Sequence, residues 1–403
     1  MAKPLLTASA EVLNAVNAVK PFGRKGYSTV VAFAFGWPTS ENGPLITTVS
    51  ALDALRRAVR GDYRTTPGRI SLLLKAVAWA LLYIVHRRNR TSRRFFEKPL
   101  RSALGADYAV ARRARRPGGV IRTSWTRHRY ATTTVRYGPH RANLADIWMR
   151  PDLPRDGKAP VLLQVPGGAW MIGMRRPQSY PLMSHLAEQG WICVSIGYRI
   201  SPKHSWPDHI VDVKQALAWV KANIADFGGD PESVCITGGS AGGHLTALAA
   251  LTPNDPKWQP GFEDADTSVV AAVPVYGRYD WYSTTGPGRT EFMEILERLI
   301  VKRPLDGNAE LYRDASPIML VRPDAPPFFV LHGTNDSLIP VVEGRDFVAA
   351  LREVSNSPVV YAEIPHAQHA FDFFGSPHGH FTADAVEKFL NWVLAERGVA
   401  QNR

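Results

Sequence analysis

The chain has 403 residues, of which 45% are hydrophobic, 21% are charged and two are cysteines. These ordinary values exclude wholesale disorder, a collagen-like repeat and a polytopic membrane protein. Two cysteines are too few for a disulfide scaffold or a multi-cysteine metal site. The net charge of +12 is unevenly distributed, because residues 1–130 carry 24 Lys and Arg against 6 Asp and Glu, whereas residues 131–403 carry 24 against 30. A basic arm on a mildly acidic body is typical of an electrostatic docking surface for nucleic acid or an anionic membrane.

The basic arm, residues 1–123, contains a long apolar stretch, Ile70–Val85, with Lys75 as its single charge. Thr66-Pro67 before it predicts a helix start, and five arginines follow within residues 87–94. As a helix the stretch would be about 24 Å long, which is shorter than a hydrocarbon core of about 30 Å. We therefore expect the arm to dock on a membrane surface or to enter it as a re-entrant segment. A buried helical cap on the larger domain and a single membrane span are the alternatives.

The apolar content of the arm also bears on its partner and location. A second apolar stretch, Thr29–Trp37, lies upstream, whereas DNA-binding arms rarely carry so much apolar surface and no nucleic-acid reading motif is present. We therefore expect no nucleic-acid partner. Glu11 and Asn14 interrupt the N-terminal residues, so we expect no cleavable secretory signal. The predicted location is at a membrane or cell envelope, and otherwise cytoplasmic; the oligomeric state stays open.

Residues 124–403 show the alternation of a catalytic α/β domain. Short apolar runs separated by amphipathic helices predict a mostly parallel central sheet flanked by helices. Residues 127–137 and 142–150 are also β-rich. The main strand predictions are Val161–Val165, Trp191–Tyr198, Ser233–Gly238, Val269–Val275, Pro327–Gly333 and Val359–Ile364. The helix predictions are Gln178–Gln189, Asp208–Phe227, Gly242–Leu251, Arg289–Val301, Pro340–Val354 and Thr382–Arg397. The stretch 278–326 is predicted to be an insertion near the ligand crevice, since it follows the carboxyl end of a strand.

The sharpest motif is Gly238-Gly239-Ser240-Ala241-Gly242-Gly243, which follows an apolar strand and precedes a helix. A serine held out on a sharp strand-to-helix turn needs glycines on both sides to avoid clashes, and this context predicts a nucleophile elbow. The dipole of the following helix would favour negative charge at the serine. A phosphate-binding glycine turn is the alternative, but His244 stands where a P-loop has its lysine.

A serine nucleophile needs a base, and the base needs an orienting acid. In this kind of fold the acid and then the histidine follow the serine along the chain. Asp336 directly follows the predicted strand Pro327–Gly333, at the sheet edge where such sites are built. Asp346 lies in a helical pattern and Asp372 follows the candidate histidines, so Asp336 is the preferred acid.

The candidate base lies after the predicted strand Val359–Ile364, where His366 and His369 both occur. Position alone favours His369 only slightly and leaves His366 open. His378 and His380 are expected to be exposed in a glycine-rich loop. No metal site is predicted, because no carboxylate stands at ligand spacing from them.

The tetrahedral intermediate of ester cleavage requires backbone N–H donors. The small residues Gly167, Gly168 and Ala169 follow the strand Val161–Val165, so consecutive N–H groups could converge on one oxygen. Ala241, directly after the serine, would supply a further donor. A plain turn at the strand end is the alternative.

Together these motifs resemble the hormone-sensitive-lipase-like esterases of the α/β-hydrolase fold over residues 125–400. The matching segments are Pro166–Trp170, Tyr198–Pro202, Phe227–Pro231, the elbow Gly238–Gly243 and His369-Ala370-Phe371. The last of these favours His369 over His366. The resemblance implies hydrolysis of carboxylic esters with short or medium acyl chains, no cofactor, and a lid made largely by N-terminal helices.

One departure from the family pattern bears on activity. Pro166 stands where the family has a histidine. The oxyanion donors come from the next residues and can survive, but we expect the hydrogen bonds by which that histidine braces the loop to be lost and activity to be reduced. The acid segment, Asp336-Ser337-Leu338, also differs from the family's Asp-Pro-Leu without affecting the acid.

The sequence therefore predicts a serine carboxylesterase or lipase with Ser240 as nucleophile, His369 as base and Asp336 as orienting acid. The expected partner is a small-molecule or lipid ester. Aromatic candidates for the acyl or alcohol pocket are Trp170, Tyr279, Trp281 and Tyr282, with ordinary packing as the alternative. An amidase or deacetylase on the same triad, and a membrane-associated binding protein without catalysis, are the rival functions.

Overall fold

The structure is a computed structural model that describes residues 2–23, 26–105, 120–155 and 157–398. The N-terminal helices are α1 (Ala2–Val19), α2 (Tyr27–Glu41), α3 (Gly43–Val59), α4 (Thr66–Thr91), α5 (Arg93–Leu104) and α6 (Val120–Tyr130). The strands are β1 (Ala131–Arg136), β2 (Leu144–Trp148), β3 (Ala159–Val165), β4 (Ile192–Ile196), β5 (Gly229–Gly239), β6 (Ala271–Val275), β7 (Phe328–Gly333) and β8 (Val359–Ile364). The remaining helices are α7 (Tyr180–Glu188), α8 (Asp208–Asn223), α9 (Ala241–Leu251), α10 (Arg289–Ile295), α11 (Ala309–Asp314), α12 (Val342–Val354) and α13 (Pro377–Glu396).

The eight strands form one sheet in the order β1-β2-β4-β3-β5-β6-β7-β8. The β1–β2 and β2–β4 pairs are antiparallel, and every pair from β4 to β8 is parallel. Because helices cover both faces, the central strands are buried along their whole length and consist of continuous apolar runs. The predicted mostly parallel α/β fold with flanking helices is thus confirmed.

Two local predictions were wrong. Residues 127–130 form the last turn of α6 rather than a strand. At the end of this helix Tyr130 is buried, and its hydroxyl donates to Glu188 on α7. A local sequence pattern does not indicate this contact, because its two residues are 58 positions apart in the chain. The second error concerns α13, which begins at Pro377, five residues before the predicted start, because Ser376 caps it by accepting the N–H of Gly379.

The N-terminal helices pack on one another around a small apolar cluster and a polar cluster. The apolar cluster joins α1 to α4 through Ala15, Ala78 and Leu82. Buried Lys75 on α4 donates to Glu11 on α1 at 2.6 Å and lies 3.2 Å from Asp53 on α3. A buried ammonium needs such partners to offset its lost hydration. These contacts link three helices to one another.

The N-terminal helices also contact the edge of the sheet at which the parallel strands end. Asn335, just after β7, donates its side-chain amide to the carbonyl of Val19 at 3.1 Å. The hydroxyl of Ser337 donates to the carbonyl of Thr29 at 3.2 Å. The arm therefore lies over the carboxyl end of β7, where ligand sites of open α/β sheets are built.

Candidate active site

Ser240 occupies the sharp turn between β5 and α9 with φ of 60° and ψ of −123°. A positive φ is uncommon for a residue other than glycine, and such residues cluster at active sites. The flanking glycines are required by space, since a Cβ at Gly238 would lie 2.6 Å from the carbonyl oxygen of Val165. A Cβ at Gly242 would lie 2.1 Å from the same oxygen. The backbone thus has the geometry that the elbow motif predicts, with the serine at the N-terminus of an eleven-residue helix.

Asp336 and His369 form a close pair. The Nδ1 of His369 lies 2.6 Å from Oδ2 of Asp336, and Oδ1 of Asp336 accepts the backbone N–H groups of Leu338 and Ile339 at 2.9 and 2.8 Å. Burial by itself raises the pKa of Asp336. Attraction to the protonated form of His369 and hydrogen bonds from His332 and His369 outweigh that effect, so the pKa lies well below its ordinary value. An ionised carboxylate can only accept, so Nδ1 of His369 carries the proton and Nε2 is left as the base.

Tyr276, the residue after β6, connects this pair to the elbow. The N–H of Ser240 donates to the carbonyl of Val275 at 2.9 Å. The Tyr276 ring lies 4.6 Å from the His369 ring, centroid to centroid. A Cβ at Gly239 would lie 2.7 Å from the same tyrosine. The ends of these strands therefore bring the elbow and His369 close to the same residue, Tyr276.

The rival acids and base lie elsewhere. Asp346 is exposed on α12, and His366 is exposed on the loop after β8. Asp372 is buried but accepts a hydrogen bond from the hydroxyl of Tyr276. Burial raises the pKa of Asp372 above its ordinary value, against the lowering effect of that hydrogen bond. Among the described carboxylates, Asp336 is the one that contacts Nδ1 of His369.

The loop after β3 adopts an unusual backbone, with positive φ at Gly168 (124°), Ala169 (50°) and Trp170 (58°). The N–H groups of Gly168, Ala169 and Ala241 have no protein acceptor within the part of the chain that the structure describes. Successive free N–H groups of this kind form an anion-binding concavity. The N–H of Gly167 differs, because it donates to Oε1 of Gln178 at 2.7 Å.

Side chains other than that of Pro166 hold the loop. Besides accepting the N–H of Gly167, Gln178 donates through Nε2 to the carbonyl of the same glycine at 3.0 Å. The hydroxyl of Tyr198 donates to the carbonyl of Pro166 at 2.9 Å. The loop is therefore held by side chains on its two sides, although proline cannot supply the contacts expected of a histidine.

The four aromatic pocket candidates have different surroundings. Tyr279 and Trp281 are fully buried in the core, where Tyr279 stacks on Phe347, so packing accounts for both. Trp170 is also buried, and its ring meets the Trp281 ring edge-on at 4.9 Å between centroids. Tyr282 is partly buried and lies under the guanidinium of Arg313.

His244, on the first turn of α9, organises this aromatic group. Its ring stacks on Trp281 at 4.4 Å, its Nδ1 accepts the indole N–H of Trp170 at 3.2 Å, and its Nε2 donates to the carbonyl of Ala315 at 2.7 Å. Burial lowers the pKa of His244 to about 3, so the ring is neutral and its tautomer is set by these two contacts. The nucleophile helix is thereby tied to the loop that carries Trp170.

Helix α2 lies directly against the segment that holds His369. The Phe33 ring meets the His369 ring edge-on at 5.6 Å, and the indole N–H of Trp37 donates to the carbonyl of Ala370 at 2.7 Å. His378 was expected to be exposed but is buried. The end of α2 covers it, and its Nδ1 lies 3.0 Å from Glu41 of that helix. His380 is only partly exposed in the first turn of α13 rather than in a loop. Among the described residues no cluster of three or more His, Cys, Asp or Glu could hold a metal ion.

Several residues at the site were missed by the sequence interpretation. Tyr276 and Gln178 lie outside any of the recognised motifs, and Glu41 is separated from His378 by 337 positions. The apolar stretch Thr29–Trp37 was the one available signal for the part of α2 that covers His369. Its contact with the catalytic histidine candidate depends on tertiary packing.

The chain is similar in sequence to known ester hydrolases. The BD-FAE family model matches residues 146–351. The chain is 48% identical over 404 residues to the probable carboxylic ester hydrolase LipM of Mycobacterium tuberculosis, with 97% of this chain and 93% of that protein covered. It is 54% identical over 273 residues to the esterase LipQ of the same organism, with 67% and 64% covered.

A solved structure gives the same fold. The butyrate-bound esterase Est2 of Thermogutta terrifontis superposes with a TM-score of 0.56 at 22% identity, covering 68% of this chain and 96% of that chain. At this level of identity the similarity concerns the fold alone. The chain belongs to the BD-FAE family and is a carboxylic ester hydrolase of the α/β-hydrolase fold, as its resemblance to the hormone-sensitive-lipase-like esterases predicts.

Proposed function

We propose that Ser240, His369 and Asp336 carry out ester hydrolysis through an acyl-enzyme. The observation that carries the proposal is the 2.6 Å contact between Nδ1 of His369 and Asp336 at the sheet edge where the elbow presents Ser240. Nε2 of His369 takes the proton of Ser240 as the hydroxyl attacks the ester carbonyl, and returns it to the leaving alcohol. Water then attacks the acyl-enzyme by the reverse sequence of proton transfers.

The tetrahedral oxyanion is proposed to accept N–H groups from Gly168, Ala169 and Ala241. This assignment is supported by the lack of protein acceptors for these groups, whereas Gly167 donates to Gln178. The positive end of the α9 dipole adds to the stabilisation of the developing charge. Losing one such donor typically lowers kcat by about 10²–10³-fold.

The proposed substrates are esters with short or medium acyl chains. Phe33 on α2 lies against one side of His369 and is only partly buried. A large apolar side chain at this position suits an acyl group, and its bulk limits the length of that group.

The enzyme is further proposed to act at an anionic membrane surface, as expected of a protein associated with a membrane or cell envelope. The N-terminal helices expose large apolar side chains over several turns, among them Leu52, Leu55 and Leu73 at 62–67% of their area. By length and composition the helical stretch Thr66–Leu104 could also cross a membrane. Surface docking is preferred because α4 packs against α1 and buries Lys75 in a polar cluster.

Arginines border the exposed apolar surface. Arg87, Arg88 and Arg90 follow the apolar face of α4 and make no ion pair with any residue that the structure describes. Arg87 and Arg88 line a groove of about 420 Å³ together with Tyr83 and Ile84. An apolar face that ends in unpaired arginines suits the boundary between acyl chains and anionic headgroups.

The catalytic proposal is tested with Ser240→Ala assayed on nitrophenyl butyrate. We expect turnover to disappear while the unfolding temperature stays unchanged, because the substitution removes only the nucleophilic oxygen. Ser102→Ala on α5 removes an exposed hydroxyl far from the elbow and should keep full activity. Turnover retained in Ser240→Ala would overturn the mechanism.

The membrane proposal is tested by flotation with phosphatidylglycerol and phosphatidylcholine vesicles. Replacing Arg87, Arg88 and Arg90 by Ala should weaken binding to the anionic vesicles by about 100-fold, since each basic residue near the surface contributes about 1 kcal/mol. A control replaces the exposed Arg141, Arg298 and Arg303 of the catalytic part and removes the same charge. Equal losses in both variants, or no binding by the unmodified protein, would contradict the proposal.

A further inference from the structure

Gln178 makes an unusual set of contacts just before α7. Its side chain is half-buried. Oε1 accepts the N–H of Gly167 at 2.7 Å, and Nε2 donates to the carbonyls of Gly167 at 3.0 Å and Met174 at 3.3 Å. One amide group therefore holds both polar backbone groups of a single glycine and ties that glycine to the loop preceding α7.

The segment that Gln178 holds is strained. Ala169 and Trp170 both have positive φ, a conformation that costs free energy for residues with a Cβ and persists only when the surroundings impose it. Pro166 has no N–H to donate, so bracing must come from other residues. Tyr198 holds the carbonyl of Pro166 at one end of the segment, and Gln178 holds Gly167 next to it.

Gly167 in turn lies directly against the elbow. A Cβ at Gly167 would lie 2.5 Å from the carbonyl oxygen of Gly239 and 3.1 Å from Cβ of Ser240. The next two N–H groups are those proposed to bind the oxyanion, so a small displacement of Gly167 changes their position relative to Ser240. Misplacement of catalytic groups by about 1 Å can lower rates by about 100-fold.

We infer that Gln178 is a positioning residue for the oxyanion loop and takes the place of the brace that Pro166 cannot provide. The inference rests on the proposed roles of Ser240, Gly168 and Ala169. Gln178 acts through Gly167 and does not itself contact the reacting atoms. Negative charge develops next to the loop only in the transition state. We therefore expect Gln178 to stabilise the transition state more than it strengthens ground-state binding of the ester.

The test is Gln178→Met, which preserves the approximate shape of the side chain and removes all three hydrogen bonds. We expect kcat on nitrophenyl butyrate to fall about tenfold while KM changes by less than about twofold. The Ki of an aryl trifluoromethyl ketone should rise by a similar factor of about ten. This ketone forms a bond to the Ser240 oxygen and places its own oxyanion in the loop, while the serine proton passes to His369.

Gln189→Met is the matched control. Gln189 terminates α7, is likewise half-buried, and its side chain makes no hydrogen bond to any described residue, so kcat and Ki should stay unchanged. Unchanged kcat and Ki in Gln178→Met would overturn the inference. So would a lower fraction of titratable active sites with normal kcat per site, which indicates a purely structural role. Activity in Ser240→Ala would instead refute the proposed mechanism, so the two failures are distinguishable.

Discussion

Trp37 is predicted to anchor α2 over the active site. Its indole N–H donates to the carbonyl of Ala370, directly after His369, at 2.7 Å. Its ring stacks on Phe33 at 5.2 Å and on Phe374 at 4.8 Å, and meets Phe373 edge-on at 5.1 Å between centroids. Substituting Trp37 therefore changes how often α2 separates from the segment that holds His369.

The expected magnitudes follow from these contacts. Trp37→Phe keeps a ring for stacking and loses the hydrogen bond, which contributes about 1 kcal/mol net. Trp37→Ala also loses three aromatic contacts of about 0.5–1.5 kcal/mol each. Because Trp37 is only partly buried, we place the total for Trp37→Ala at about 3 kcal/mol, the low end for a large-to-small substitution.

The assay is amide hydrogen exchange of α2, which reports the free energy of local opening. Exchange in α2 should be about fivefold faster in Trp37→Phe and more than about 100-fold faster in Trp37→Ala, because 1.36 kcal/mol corresponds to a factor of ten. Amides of the buried strand β5 serve as the internal reference and should be unaffected. Exchange in α2 at the rate of the unmodified protein in Trp37→Ala would refute the anchoring role.

Two further predictions concern charge. His244 has a pKa of about 3 in the folded protein against 6.5 for a free side chain, so the unfolded chain binds more protons between these pH values and acid destabilises the fold. Lowering the pH from about 7.5 to about 5 should therefore reduce the unfolding free energy by about 2 kcal/mol more in the unmodified protein than in His244→Gln, measured by urea unfolding. Equal losses would show that His244 titrates normally in the fold. Asp336→Asn should lower kcat by about 10⁴-fold with KM nearly unchanged, because the amide no longer imposes the Nδ1–H tautomer on His369. Asp346→Asn on α12 should retain full activity in the same steady-state assay, and comparable losses in both variants would contradict the assignment of the acid.

The elements that depend on local pattern were predictable from the sequence. Continuous apolar runs such as Val161–Val165 identify buried parallel strands, because both faces of such a strand are covered by helices. The elbow was predictable for the same kind of reason, since Gly238 and Gly242 are dictated by the space around one turn. The order of acid and histidine along the chain then led to Asp336 and left His366 and His369 open as the base. The resemblance of His369-Ala370-Phe371 to the esterase family favoured His369, which the structure brings to 2.6 Å from Asp336.

The boundaries of elements and the local roles of individual side chains were less predictable. His378 stands in a glycine-containing segment that resembles a loop, yet it is buried in the first turn of α13 against Glu41. Pro166 led to the expectation that the hydrogen bonds of a histidine are lost from the oxyanion loop. The sequence did not indicate the contacts of Gln178, because this residue lies eleven positions from Gly167 and belongs to no recognised motif.

The sequence by itself determined the fold class and the nucleophile turn, because both depend on residue types at short spacing. It also determined the chain order of the acid and the histidine, because each follows a predicted strand after the elbow. Only the tertiary structure decided that α2 covers His369, that Tyr276 lies against both His369 and Gly239, and that Gln178 holds Gly167. These contacts join residues distant in the chain, and their free energies depend on distances and burial that arise only when the helices pack on the sheet.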